Sequence, residues 1–323
     1  MRTKFVSVVL LAAIASSADA IDLQGHRGTR GLAPENTLTA FKTALAIGVT
    51  TLETDLALTR DGVLVLSHEP HLYAALTRGP DGRWLSEDGA AIFSLKADEL
   101  AQYDIGRLNP AHKYAAQWTE QQASDGERIP TLQQLFELAR DARSPGGRLV
   151  RFNIETKITP TSGDSTPDAE RYARAVVDAV RTAKMAERVT VQSFDWRTLR
   201  EVKKLAPELS TACLTIDSSS MNTVLPDASG ASPWHAGLKG ADHGGSLPRM
   251  AQAVGCSIWA PFWRNVTPEN VAEAHGLKLK IIPWTVNDPA EIERLAALGV
   301  DGIITDYPDR ARRALAARNV AID

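Results

Sequence analysis

The sequence has 323 residues, a formal net charge of −3 at pH 7 and two cysteines. A chain of this length holds either one large α/β barrel or two ordinary domains. The slightly acidic charge argues against nucleic acid as a partner, because binding a phosphate backbone needs a basic surface. The cysteines, Cys213 and Cys256, are too few for a disulfide framework and lack zinc-motif spacing, so a bond between them stays an open possibility.

Residues 1–20 predict a secretory signal peptide. Arg2 and Lys4 precede a short apolar run, and Ala18-Asp19-Ala20 is a small-residue cleavage site. The apolar run is too short to cross a bilayer as a helix, and no later run approaches the roughly 20 residues that a span needs. We therefore expect cleavage after Ala20, a single mature domain over residues 21–323, a secreted or periplasmic location, and no stable membrane insertion.

The rest of the chain alternates β-branched apolar runs with capped helical patterns. The strand candidates are IDLQG, TLETDLAL, LVRFNIET, RVTVQSF, LSTACLT, CSIWAPF, LKIIPWTV and VDGIITD, and helices are predicted over 37–47, 131–142, 168–185, 196–205, 268–275 and 289–298. Asn36 is the predicted cap of the first helix. Eight strand–helix units predict a (β/α)8 TIM barrel whose site lies at the carboxyl ends of the strands. The alternative, a doubly wound open sheet, usually has a G-x-G-x-x-G turn after its first strand, and GHRGTRG lacks that spacing.

Three stretches do not fit the eight units. Asp61-Gly62 predicts a β-hairpin turn after the second strand. A two-residue tip would pair Glu53 with His68, whereas a tip longer by one residue would place His68 beside Glu53. Residues 70–129 form a loop-rich insertion before the second helix, and residues 217–245 form a long loop at the barrel mouth, where His235 is a weak candidate for substrate contact.

Titratable side chains converge at three neighbouring strand ends. They are His26 and Arg27 after the first strand, Glu53 and Asp55 on the second, His68 on its hairpin partner, and Glu155 and Lys157 on the third. Side chains two residues apart on a strand share a face, so the three carboxylates meet and repel one another unless a cation neutralises them. Oxygen ligands favour one hard divalent cation, Mg²⁺ or Ca²⁺, over zinc.

These motifs resemble the glycerophosphodiester phosphodiesterases. The resemblance rests on GHRGTRGLAPENTLTAF, LETDLALTRDGVLVLSHEP, NIETK, QSFDW and GIITDYP, and it runs from about residue 22 to residue 310. It implies a metal-dependent phosphodiesterase barrel that cleaves small glycerophosphodiesters to glycerol 3-phosphate and an alcohol.

The resemblance also implies roles for single residues. His26 and His68 match the general acid–base pair, and Trp284 matches an aromatic residue of the substrate pocket. Glu53, Asp55 and Glu155 match the metal ligands, and Arg27 and Lys157 match the phosphate contacts. Glu69 departs from the family pattern, which has Asp after the second histidine, and this puts its orienting role in doubt.

Other functions fit the same residues less well. A glycoside hydrolase needs two carboxylates and has no use for two histidines and an arginine. A periplasmic protein that binds phosphodiesters without cutting them would not need His26 and His68. A lysophospholipase D or sphingomyelinase-D-like enzyme would share the catalytic residues and act on lipids, with an apolar rim formed by Trp84, Trp118, Trp234 and Trp263.

Overall fold

The computed structural model describes residues 20–323, so the predicted signal peptide lies outside the described residues except for Ala20. In this part of the chain the strands are β1 (Asp22–Gly25), β2 (Thr51–Leu58), β3 (Leu64–Leu66), β4 (Arg151–Thr156), β5 (Val189–Ser193), β6 (Ser210–Thr215), β7 (Ile258–Pro261), β8 (Lys280–Ile281) and β9 (Gly302–Thr305). All pair in parallel except β3, which runs antiparallel to β2.

The parallel strands form a nearly closed barrel. Their order is β8-β7-β6-β5-β4-β2-β1-β9. Backbone hydrogen bonds from Asp301 N to Ile281 O (2.9 Å) and from Ile304 N to Pro283 O (3.0 Å) join the two ends of this order. The TIM barrel prediction is therefore confirmed, and the open-sheet alternative is wrong.

The α-helices of the described chain surround the barrel, except for the short helix Ala97–Leu100, which lies in the insertion of residues 70–129. They are α1 (Leu38–Ile47), α2 (Ala97–Leu100), α3 (Leu132–Leu138), α4 (Ala169–Thr182), α5 (Trp196–Leu205), α6 (Leu247–Val254), α7 (Pro268–Gly276), α8 (Pro289–Ala297) and α9 (Pro308–Ala317). The sequence predicts α3 too long: the helix ends at Leu138, where Ala139 leaves the helical conformation with φ −107° and ψ 17°. The chain then turns back through Gly147, whose φ is +80°, to reach β4. Within residues 20–323, no helix has both the length and the apolar character that crossing a membrane requires.

The hairpin between β2 and β3 has a three-residue tip. Leu56 pairs with Leu66 and Leu58 with Leu64, and Ser67 N donates to Asp55 O at 3.0 Å. The predicted pairing of Glu53 with His68 is therefore wrong by one residue, and the longer-tip alternative is correct. Gly62 accounts for the extra residue, because its φ of +84° is a left-handed conformation that glycine adopts without strain.

The two cysteines form a disulfide. Cys213 lies on β6, Cys256 lies just before β7, and their Cα atoms are 6.1 Å apart. Both are buried in the apolar layer that also packs the barrel against its helices. The bond thus ties a barrel strand to the connection between α6 and β7.

Candidate active site

Three buried carboxylates meet at the carboxyl ends of β2 and β4. Asp55 and Glu155 are paired residues in the β2–β4 register, and Glu53 lies two residues before Asp55 on the same face. Each offers an oxygen within 4.8 Å of the other two, and their side chains are at most 9 % exposed. The predicted acidic cluster therefore exists in the fold.

Two cations lie against this acidic cluster. Lys157 Nζ is 2.8 Å from Glu155 Oε1 and 3.7 Å from Asp55 Oδ1, and Arg27 Nε is 3.1 Å from Asp55 Oδ2. The backbone N–H of Arg27 donates to Glu53 Oε2 at 2.8 Å. Arg27 also pairs with a fourth buried carboxylate, Glu35. Two cations thus face four carboxylates, which leaves the group with an excess of negative charge.

The pKa values of the acidic cluster reflect this imbalance. Burial raises the pKa of Glu53, and the charge of Asp55 raises it further. Burial also raises the pKa of Glu155, against the opposing effect of Lys157. Burial acts to raise the pKa of Asp55 as well, but Arg27, His68 and Lys157 outweigh it and hold that pKa well below its usual range.

His26 is oriented by a carboxylate. Its Nδ1 is 2.6 Å from Asp306 Oδ1, and its Nε2 is 4.0 Å from Glu53 Oε2. Asp306 follows β9 and is also bound by Arg30 through two hydrogen bonds of 2.9 and 3.1 Å, and by Asn287 Nδ2 at 2.7 Å. Burial lowers the pKa of His26 to about 4, although Asp306 opposes the shift.

His68 is also oriented by a carboxylate, which in this case belongs to the next residue in the chain. Its Nδ1 is 2.6 Å from Oε1 of the adjacent Glu69. Burial lowers the pKa of the His68 imidazole to about 4, and Arg27 lowers it further. The side chain of Glu69 therefore reaches His68. The two carboxylates differ in exposure, because Glu69 is 41 % exposed whereas Asp306 is buried.

A cavity of about 140 Å³ brings the predicted residues together. Seven of the eight predicted site residues line it: His26, Arg27, Glu53, His68, Glu155, Lys157 and Trp284. Asp55 does not, because it is fully buried and its Oδ2 accepts a hydrogen bond from Asn36 Nδ2 at 3.0 Å. Trp284 packs edge-on against Phe194, with ring centres 5.1 Å apart, and forms an apolar wall of the cavity.

Several residues that support the site were not selected from the sequence. They are Arg30, Glu35, Asn36, Tyr114, Gln192, Asn287 and Asp306. Asp306 lies in a quoted motif at a strand end, and that position could have identified it. Asn36 is not the helix cap, since the Thr37 side chain accepts the hydrogen bond from Ala40 N. His235 does not line the cavity; it is buried and stacked on Trp196 at 4.0 Å.

Comparisons with known proteins agree with this geometry. The model of the glycerophosphoryl diester phosphodiesterase family matches residues 26–310. A glycerophosphodiester phosphodiesterase of Caldanaerobacter subterraneus subsp. tengcongensis is 31% identical over 284 residues, which cover 88% of this chain and 93% of that protein.

Solved structures have the same fold. The structure of a Silicibacter pomeroyi protein assigned to this family has a TM-score of 0.81 and 33% identity, covering 94% of this chain and 96% of that chain. An Oleispira antarctica phosphodiesterase, solved in complex with the product sn-glycerol-3-phosphate, has a TM-score of 0.65 and 22% identity, covering 92% and 97%.

These matches span nearly the whole described barrel and include the segments that carry the acidic cluster and both histidines. A glycoside hydrolase and a non-catalytic binding protein are therefore wrong as alternatives. The chain belongs to the glycerophosphoryl diester phosphodiesterase family and is an enzyme that hydrolyses phosphoric diesters.

Proposed function

We propose that this enzyme hydrolyses small glycerophosphodiesters to sn-glycerol 3-phosphate and an alcohol, with one divalent cation and with His26 and His68 as its general acid–base pair. The observation that carries the proposal is one cavity lined by two imidazoles, each held at Nδ1 by a carboxylate, above an acidic cluster. The product named for the Oleispira antarctica neighbour supports the same reaction.

The acidic cluster fits a divalent cation. Its donors are all carboxylate oxygens, which suit Mg²⁺ or Ca²⁺. Asp55 Oδ1 is buried without a hydrogen-bond partner, and Lys157 Nζ lies 3.7 Å from it, beyond hydrogen-bond distance. A buried carboxylate oxygen in this position is costly unless a closer cation binds it. Glu53, Asp55 and Glu155 would hold the ion, which when bound supplies positive charge to the phosphate oxygens.

Arg27 and Lys157 would bind the phosphate. Both line the cavity, and their positive charges offset the charge of a phosphodiester anion and the further charge of its transition state. Arg27 is held by its ion pairs with Glu35 and Asp55, so it is oriented before substrate arrives.

The two histidines would move the protons. One imidazole, in its neutral form, takes a proton from the attacking oxygen, which is either water or the neighbouring glycerol hydroxyl. The other, protonated, gives a proton to the leaving alkoxide. The negative charge of a bound phosphodiester raises the pKa of an adjacent imidazole, which favours the protonated acid in the complex. Asp306 and Glu69 fix the ring orientations. Each accepts a hydrogen bond from Nδ1 of its histidine, which leaves Nε2 as the nitrogen that exchanges protons.

A lipid substrate has less support. Of the four tryptophans expected to form an apolar rim, Trp118 is buried with Arg30 stacked on it, and Trp84 packs under Arg78. Trp118 is therefore used for packing inside the protein, and the partly buried Trp84 is covered on one face by an arginine. The small cavity also suits a glycerol headgroup better than an acyl chain.

We also propose that the enzyme acts outside the cytoplasm. The N-terminal signal pattern supports export, and the disulfide between Cys213 and Cys256 is typical of oxidising compartments. N-terminal sequencing of the protein recovered from the periplasm or medium would test this, with Ile21 as the expected first residue. Recovery of the uncleaved chain in the cytoplasm would contradict it.

The decisive assay compares glycerophosphocholine, glycerophosphoethanolamine and lysophosphatidylcholine as substrates, with and without a chelator. We expect sn-glycerol 3-phosphate from the first two and loss of that product with chelator. Hydrolysis of lysophosphatidylcholine alone would favour the lipid alternative, and turnover that survives exhaustive chelation would overturn the cation.

A further inference from the structure

The loop-rich insertion of residues 70–129 reaches the active site through a tyrosine. The hydroxyl of Tyr114 donates a hydrogen bond to Glu35 Oε2. Glu35 is 3 % exposed and lies between the first barrel strand and α1, so the bond joins the insertion to the barrel. None of the roles proposed above uses this contact.

The same carboxylate holds Arg27. Glu35 Oε1 accepts a hydrogen bond from Arg27 Nη1 at 2.6 Å, while its other oxygen is the one that Tyr114 binds. Arg27 is 6 % exposed, and a buried guanidinium depends on well-placed partners to offset its lost hydration. The positions of Glu35 and of Asp55, which lies 3.1 Å from Arg27 Nε, therefore set where Arg27 presents its charge to the cavity.

Tyr114 is itself held firmly by aromatic neighbours. Its ring makes edge contacts with Tyr73 and Trp118, at centre distances of 5.6 and 5.9 Å. Trp118 lies under the guanidinium of Arg30, 4.3 Å from it, and Arg30 binds Asp306. The ring of Tyr114 thus packs against two aromatic neighbours while its hydroxyl binds Glu35.

We propose that Tyr114 is a positioning residue that fixes Arg27 through Glu35, so that the insertion completes the phosphate-binding end of the active site. The inference rests on the proposed function, because it needs Arg27 to bind phosphate. It makes the insertion part of the catalytic apparatus and extends the site beyond the strand ends of the barrel.

The test is Tyr114→Phe, which removes one oxygen and keeps the ring contacts. We expect kcat/KM for glycerophosphocholine to fall about tenfold to a hundredfold, the usual effect of losing a hydrogen bond to a charged group. Inhibition by inorganic phosphate should weaken by a similar factor, because the defect lies in binding phosphate. Tyr103→Phe is the matched control: Tyr103 belongs to the same insertion and packs against its small apolar core, so both readouts should match the parent.

A double-mutant cycle with Glu35→Ala tests whether Tyr114 acts on catalysis through Glu35. If Tyr114 acts through Glu35, then adding Tyr114→Phe to Glu35→Ala costs nothing more in kcat/KM. Additive losses in kcat/KM would overturn the proposal. Parental kinetics of the Tyr114→Phe enzyme would also overturn it, as would unfolding of this variant below the assay temperature. A parent enzyme without turnover would instead defeat the proposed function. In that case, calorimetric measurement of phosphate binding to the parent and to the Tyr114→Phe protein would still decide the role of Tyr114.

Discussion

Asp306 Oδ1 lies 2.6 Å from His26 Nδ1, and the same carboxylate is bound twice by Arg30. Burial acts to raise the pKa of Asp306, but Arg30 and His26 outweigh it and keep that pKa well below its usual range. Asp306 is therefore ionised at neutral pH, accepts the Nδ1 proton, and leaves Nε2 of His26 as the nitrogen that can exchange protons in the cavity.

Replacing Asp306 with Asn should lower kcat about 10²-fold or more, since an amide no longer selects the tautomer in which Nε2 is free. The limb of the kcat–pH profile that reports His26 should also move to lower pH, because the charge of Asp306 raises the pKa of His26. Measuring kcat against pH for parent and variant checks both effects.

A matched control for this change lies outside the cavity. Asp301 Oδ2 lies 3.0 Å from His275 Nε2 and also accepts a hydrogen bond from Ile281 N at 2.8 Å. Asp301→Asn therefore removes a carboxylate–histidine contact outside the cavity, while its amide oxygen can still accept from Ile281 N. We expect parental kinetics from it. Equal losses in the two variants would show that the effect of Asp306→Asn is general destabilisation.

The acidic cluster predicts dependence on a divalent cation. Chelation should abolish turnover, and added Mg²⁺ or Ca²⁺ should restore it. Glu155→Gln should weaken cation affinity about tenfold or more, because it removes one charged ligand while leaving Asp55 and Glu53 in place. Calorimetric titration of the chelated protein with each metal measures this, and identical affinities in parent and variant would contradict the assignment of Glu155.

Glu69 provides a test of how His68 is oriented. Glu69→Asp should change kcat only mildly, because it keeps the charge and restores the residue that the family has at this position. Glu69→Gln should cost more, because the carboxylate 2.6 Å from His68 Nδ1 is lost. Steady-state kinetics of the two variants side by side decide the matter. If the Asp variant were as impaired as a His68 replacement, the longer side chain would be specifically required.

His235 predicts acid sensitivity of the fold. Burial lowers the pKa of His235 to about 4, from about 6.5 in the unfolded chain. As the pH falls from 6.5 towards 4, the unfolded state takes up a proton that the folded state refuses, so the free energy of unfolding falls by up to about 1.4 kcal/mol per pH unit. Urea unfolding at pH 7 and pH 5 should show a smaller difference for His235→Phe, which keeps the stacking on Trp196. The same pH difference in both proteins would assign the acid sensitivity to other groups.

The fold and the acidic cluster were predictable because they follow from local rules. Strand periodicity alone puts Glu53 and Asp55 on one face, and the barrel pattern brings β4 next to β2. The sequence leaves the hairpin register open between two alternatives, since Asp61-Gly62 does not reveal whether the tip has two or three residues.

The contacts that hold the site could not be predicted in this way. Tyr114 and Glu35 are 79 residues apart, and only folding of the insertion brings them together. His26 and Asp306 are 280 residues apart, and barrel closure brings their strand ends together but does not by itself specify the hydrogen bond between them. Asn36 shows a different limit: its position before a helix is typical of a cap, yet its φ of +56° directs its side chain to Asp55 instead.

The central claim is that His26 and His68 transfer the protons of phosphodiester hydrolysis, and the most direct measurement is kcat against pH for the parent, His26→Ala and His68→Ala. The account predicts a bell-shaped parental profile, a loss of about 10²–10⁴ in kcat for each variant, and the absence of one limb in each. Cation affinity, measured separately, should stay close to that of the parent, because neither histidine is assigned as a ligand. Parental turnover in either variant, or a loss explained entirely by loss of the cation, would contradict the account.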